Sequence, residues 1–213
     1  MVSRRMKKTV QLIIASNNSH KISEIRKIFS SLDLDIFGWT EYFSSDLNVN
    51  ENGITFEENA IKKLETIPPI PLKYKTNHVQ LFLADDSGLE VEALDGRPGI
   101  HSARYAPEGT SIALCSKLLR ELSGLSNRRA NFTAAIALKV PDNPIQIAIG
   151  QVFGKITDAM STDNGFGYDP VFIPQGHTES FAEMLPSQKN ALSHRGNALE
   201  KLTPALSLII TSS

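Results

Sequence analysis

Cysteine is nearly absent from this sequence: Cys115 is the single one among 213 residues. One thiol excludes an intramolecular disulfide and a cysteine-based zinc cluster. Its neighbours Ile112, Leu118 and Leu119 share a helical pattern with it and mark it as a core residue. An excess of charge of either sign is lacking too. The formal net charge is −1, so no global field draws in nucleic acid or an anionic membrane, and any anion site must be local. No run approaches the roughly 18 apolar residues of a membrane span. The opening "MVSRRMKK" is basic, but no apolar stretch of about 7–15 residues follows it in signal-peptide fashion. Residues 1–8 therefore read as a frayed tail. The expectation is a soluble, cytoplasmic protein with neither nucleic acid nor membrane as partner.

What is present is ordinary globular material. The chain is 41% hydrophobic and 21% charged, which suits a folded core, and its length fits one large domain or two lobes sharing a core. Residues 9–15 ("TVQLIIA") and 79–84 ("VQLFLA") read as buried strands. Residues 20–31, 56–65 and 110–122 read as helices, with further helices near 179–185 and 195–209. "ANFTAAIALKV" and "IQIAIGQVFGKIT", separated by "PDNP", read as an antiparallel hairpin. "TIPPIPLKYKTNH" (66–78) carries three prolines and reads as a loop. Strands and helices interleaving at both ends around a central hairpin predict an α/β fold with a mixed sheet.

Five stretches carry chemistry. "SNNSHK" (16–21) lies between a strand and a helix, and it puts His20 and Lys21 where cations are disfavoured by the helix dipole. The N–H groups of that turn and the Lys21 ammonium suit phosphate oxygens; a capped helix with surface His and Lys is the plainer reading. Asn17 or Asn18 would tolerate a left-handed turn there. In "FLADDSGLE" (82–90), Asp85 and Asp86 end an apolar run, where an unpaired charge is costly. Neighbours on a strand point to opposite faces, so the two acids have different tasks: one binds a cation or acts as base, the other anchors a turn at Ser87-Gly88. Both capping a turn is the alternative. In "NENGITFEENAIKKLE" (50–65), Glu57, Glu58, Lys62 and Lys63 fit a solvated helix face with i,i+4 pairs, while Glu51, at an Asn-Gly turn beside apolar residues, suits a metal. In "NGFGYDPVF" (164–172), glycines let the backbone approach a flat ligand that Phe166 or Tyr168 stacks on; a buried bulge carrying core aromatics fits equally. "QKNALSHRG" (188–196) gathers Lys189, His194 and Arg195, donors apt for a base edge or phosphates.

Together these segments resemble the inosine triphosphate pyrophosphatase (Ham1-like) family. The matching stretches are "SNNSHKISEI", "ENGITFEENAIKK", "LADDSGLEVEALDGRPGIHSARYA", "GFGYDPVF" and "FAEMLPSQKNALSHRGNAL", in family order over nearly the whole chain. The resemblance implies an elongated mixed β-sheet with flanking helices forming two lobes around a nucleotide cleft. Residues 9–213 would then be a single domain, and the protein a homodimer. It implies hydrolysis of ITP, dITP and XTP to the monophosphate and pyrophosphate with Mg²⁺. It further implies that Ser16, Asn17, Asn18, Ser19, His20 and Lys21 cradle the triphosphate, and that Glu51 and Asp86 hold the metal. Asp86 would also accept a proton, Lys63 lie on the phosphate side and Ser87 touch substrate. Phe166, Gly167, Tyr168, Asp169, Lys189, His194 and Arg195 would recognise the base. Asn17 and Asn164 stand where the family favours Gly, and the segment 66–81 is longer than usual. The adjacent acids lack the D-x-D spacing of haloacid-dehalogenase phosphatases, and the "SHR" and "FGYDP" blocks separate the chain from Maf-like pyrophosphatases. A nucleotide sensor without turnover is the non-enzyme alternative.

Overall fold

A computed structural model describes residues 9–43, 48–67, 78–163 and 165–212. The basic start, most of the proline-rich segment and Asn164 lie outside the described residues. The chain runs β1 (Val10–Ile14), α1 (Ser19–Ile28), β2 (Leu34–Gly38), α2 (Trp39–Phe43), α3 (Phe56–Glu65) and β3 (Val79–Val91). It continues through α4 (Ser111–Glu121), β4 (Arg129–Lys139), β5 (Gln146–Ile156), β6 (Phe172–Pro174), α5 (Pro186–Leu192) and α6 (His194–Ser212). The sheet order is β2-β1-β3-β4-β5-β6. β1 pairs in parallel with β2 and β3, whereas β3–β4, β4–β5 and β5–β6 are antiparallel. The sheet is therefore mixed, and β4–β5 is the hairpin anticipated from "PDNP".

β3 organises the molecule. It has 13 residues, which at about 3.3 Å each spans roughly 40 Å. Its side chains alternate. Leu81 and Leu83 pack into a cluster with Leu12, Ile14, Ile25, Leu199 and Leu202, beneath α1 and α6. Phe82 and Ala84 face a second cluster with Trp39, Phe56, Ala60 and Leu64, under α2 and α3. Farther along, Leu89 and Val91 join a third cluster with Leu114, Leu118, Phe132 and Phe172. Cys115 lies within that third cluster with no exposure, as its helical pattern requires. Between Leu83 and Leu89 the apolar alternation breaks at Asp85, Asp86, Ser87 and Gly88.

Two local expectations need correction. Ser87-Gly88 does not turn: β3 runs straight through both residues. Gly88 is needed for close approach, because a Cβ there would lie 2.4 Å from the Gly99 carbonyl oxygen and 2.5 Å from Ser102 Oγ. The helix expected near 179–185 begins instead at Pro186, where a missing N–H costs nothing. Phe181 and Met184, whose spacing imitated a helix, enter the third cluster from turns.

Candidate active site

The break in β3 opens onto a cleft of about 470 Å³, a size typical of small-ligand sites. Its lining draws on the β1–α1 turn, the loop before α3, β3, the loop before β6, α5 and the start of α6. Ser16, Asn17, Asn18, Lys21, Glu51, Lys63, Asp86 and Ser87 all line it. So do Phe166, Gly167, Tyr168, Asp169, Lys189, His194 and Arg195. Ser19 and His20 do not. The His20 ring instead stacks on Phe166, with centroids 4.7 Å apart.

The two aspartates separate as the strand geometry requires. Asp85 is buried among cations. Arg195 Nε donates to its Oδ2 at 2.8 Å, the Lys21 ammonium pairs with its Oδ1, and Ser87 Oγ donates to the same oxygen at 3.0 Å. Burial alone would raise its pKa; the charges of Arg195 and Lys21 outweigh burial and hold the carboxyl well below the usual range. Asp86 faces α3. Lys63 Nζ donates to its Oδ1 at 2.9 Å and Asn59 Nδ2 to its Oδ2 at 3.1 Å. Here burial prevails over the opposing Lys63 charge and pushes the carboxyl up.

Lys63 is no surface lysine. It is buried, its ammonium also donates to the Asp85 carbonyl oxygen at 2.9 Å, and it lies 3.3 Å from Glu51 Oε1. Burial would lower its pKa, but Asp86 and Glu51 together raise it. On the same helix, Glu58 accepts from the Ile54 N–H and Lys62 donates to Asn52, so the expected i,i+4 pairing gives way to local loop anchoring. The cation at the start of α1 finds its negative partner in Asp85, inside the protein. Nor is the preceding turn left-handed. Asn18 has φ −82° and caps the helix, accepting from the His20 and Lys21 N–H groups. Among the described non-glycine residues only Asp95 and Asp142 have positive φ.

The opposite wall is built on α5, α6 and the 165–169 loop. Gly165 and Gly167 have φ of +117° and +60°, a region other residues avoid. The Tyr168 ring is buried and its hydroxyl donates to the Ser102 carbonyl at 2.9 Å, which leaves Phe166 as the aromatic at the rim. Asp169 accepts from Lys189 Nζ at 2.8 Å; burial pushes this carboxyl up against the pull of Lys189. His194 stacks on Phe132 at 4.9 Å, and its Nδ1 has no partner among the described residues. Burial, then the Arg195 charge, lowers its pKa well, so the ring is neutral. Gly150 permits this wall: a Cβ there would lie 2.1 Å from the His194 carbonyl oxygen and 2.4 Å from Ala198 N.

Two residues of the site had no sequence signal. Glu24, on α1, accepts from Lys189 at 3.0 Å and pairs with Arg195. It completes an alternating series, Lys21–Asp85–Arg195–Glu24–Lys189–Asp169, along the cleft. Asn59 is the other, a buried amide beneath Asp86.

This constellation can be set beside known proteins. Residues 12–205 match the Ham1 family. The chain belongs to that family. A dITP/XTP pyrophosphatase of Leuconostoc mesenteroides is 44% identical over 197 residues, covering 91% of this chain and 94% of the relative. One from Staphylococcus aureus is 42% identical over 193 residues, covering 90% and 94%. The solved structure of the S. aureus Ham1 protein superposes with a TM-score of 0.77 at 38% identity, over 95% of this chain and 100% of that one. A Coxiella burnetii HAM1 protein gives 0.77 at 35% identity, over 96% and 100%. The α/β fold and the family expected from the five motifs are thereby established.

Proposed function

We propose that this Ham1-family chain hydrolyses hypoxanthine and xanthine nucleoside triphosphates, dITP, ITP and XTP, to the monophosphate and pyrophosphate. The names of its relatives support the substrate class. The observation that carries the chemistry is the split of Asp85 from Asp86: one acid is neutralised by cations, the other stands at the cleft with a raised pKa beside Lys63. A carboxylate within reach of the attacking water can act as a general base. Asp86 takes the proton of the attacking water as the new P–O bond forms, and the bond to pyrophosphate breaks.

Glu51 and Asp86 suit a hard divalent cation, because both offer carboxylate oxygens and both already converge on one positive charge, the Lys63 ammonium. Mg²⁺ is commonly held by one or two carboxylates together with substrate phosphates. When bound it would supply charge to neutralise the leaving pyrophosphate. Lys63 and the 16–21 turn, with Asn18 and Lys21, face the phosphates. Ser19 and His20, which do not line the cleft, complete that turn at its helical end.

The base lies toward Phe166, Gly167, Tyr168, Asp169, Lys189, His194 and Arg195. Hypoxanthine and xanthine present an acceptor O6, and a donor-rich wall leaves its donors unpaired against adenine's 6-amino group. Residues 9–213 act as one unit of two lobes, the apolar clusters on either side of the Asp85–Gly88 break. The protein works as a cytoplasmic homodimer, with nucleotide rather than nucleic acid or membrane as partner. Among the described residues no helix is long and apolar enough to cross a membrane, and the exposed Ile147, Ile149 and Phe153 of β5 offer a face to a second copy.

Product analysis with and without Mg²⁺ tests this reading. Pyrophosphate and monophosphate in equal amounts from dITP, only with Mg²⁺, are expected. Orthophosphate would indicate a phosphatase, and tight binding without turnover would indicate a sensor.

A further inference from the structure

We propose that Asn59 is a positioning residue that fixes Glu51 and Asp86 relative to one another and thereby sets the affinity of the metal site they form. The inference rests on the metal reading above. Asn59 has no solvent exposure, and both ends of its amide are engaged. Oδ1 accepts from the Gly53 N–H at 2.8 Å, and Nδ2 donates to Asp86 Oδ2 at 3.1 Å. Gly53 lies two residues after Glu51 on the same loop, and Asp86 lies on β3. The amide is therefore a strut between the segments that carry the two acids.

The fit is close at both ends. A Cβ on residue 53 would approach Asn59 Oδ1 to 2.6 Å, so glycine is required for the loop to reach the strut. Asn59 precedes Lys63 by four residues on α3, which places both on one helix face. The strut and the ammonium between the two acids thus come from the same rigid element. Asparagine suits the task chemically. One short side chain must accept from an N–H and donate to a carboxylate, which the separate oxygen and NH₂ of an asparagine amide do while remaining neutral. Aspartate would set a second negative oxygen against Asp86, and glutamine is one methylene too long for the gap.

Residues behind metal-binding groups orient them, and their loss typically weakens metal binding about 10–100-fold. The probe is Mn²⁺, followed by electron paramagnetic resonance on the full chain holding a non-hydrolysable inosine triphosphate analogue. Asn59→Ala should bind Mn²⁺ weaker by about that factor. The Mg²⁺ concentration for half-maximal pyrophosphate release should rise in parallel, with nucleotide KM at saturating Mg²⁺ unchanged. If the alanine variant fails to fold, Asn59→Ser keeps a small polar group but cannot reach both partners, and should give the same result. In a Glu51→Gln background the effect of Asn59→Ala should shrink, because only one acid remains to be held. Unchanged Mn²⁺ affinity, or strictly additive losses in the double variant, overturns the proposal while leaving the metal reading intact. A wild-type protein that binds no Mn²⁺ overturns both.

Discussion

Asp85 and Asp86 are adjacent and chemically identical, yet their surroundings give them opposite properties. Asp85 is a buried counter-ion, and replacing it by Asn leaves Lys21 and Arg195 facing a neutral group. Breaking a buried pair in this way costs about 3–5 kcal/mol, measured as a shift in urea unfolding. The pH dependence carries a definite sign. The folded pKa of Asp85 lies below its unfolded value, so its contribution is complete above about pH 4 and is lost as pH falls below that. Asp85→Asn should flatten this acid limb of stability. For Asp86 the expected effect is on turnover instead. Asp86→Asn should lower kcat at least about 10²-fold. Near-native turnover in Asp86→Asn would make that residue structural. Lys21 also changes character. Its position at a positive helix end suggests that its removal would relieve repulsion. Since it neutralises Asp85, Lys21→Ala should instead destabilise the empty protein, by about 1–3 kcal/mol.

At the level of elements, the legible features were those set by local periodicity. β1, β3, the β4–β5 hairpin, α1, α3 and α4 follow from apolar spacing and turn residues, and the broken alternation of β3 marks the cleft. Features set by distant neighbours were not legible. Ser87-Gly88 has the composition of a turn, and only the approach of Gly99 and Ser102 reveals why glycine sits in an unbroken strand. The 181–185 segment has helical spacing, but its apolar groups are satisfied from turns. Gly150, in the interior of β5, is the floor on which α6 rests. Gly150→Ala should therefore push the start of α6 outward. Overpacking of this kind costs about 1–3 kcal/mol, and here it should also raise KM for nucleotide, because His194 and Arg195 move with the helix. A stability loss with unchanged KM would show that the wall tolerates the displacement.

Across the whole molecule, the series from Lys21 to Asp169 connects the β1–α1 side of the cleft to the 165–169 loop on the other. The glutamate at its centre escaped the sequence reading because its partners, Lys189 and Arg195, are 165 and 171 residues away. On α1 it looks like any helix-surface acid. Glu24→Gln should keep the fold while loosening both donors, reducing the ITP-over-ATP ratio of kcat/KM by about one to two decades, the scale of a charge-assisted hydrogen bond. On the proposed function, this cleft selects a purine by its 6-position and cuts its triphosphate to yield pyrophosphate. Pyrophosphate release from dITP and dATP, compared as kcat/KM under saturating Mg²⁺, tests it most directly. dITP should exceed dATP by at least about two decades, from donors left unpaired against a 6-amino group. Equal rates on the two nucleotides, or release of orthophosphate in place of pyrophosphate, would contradict it.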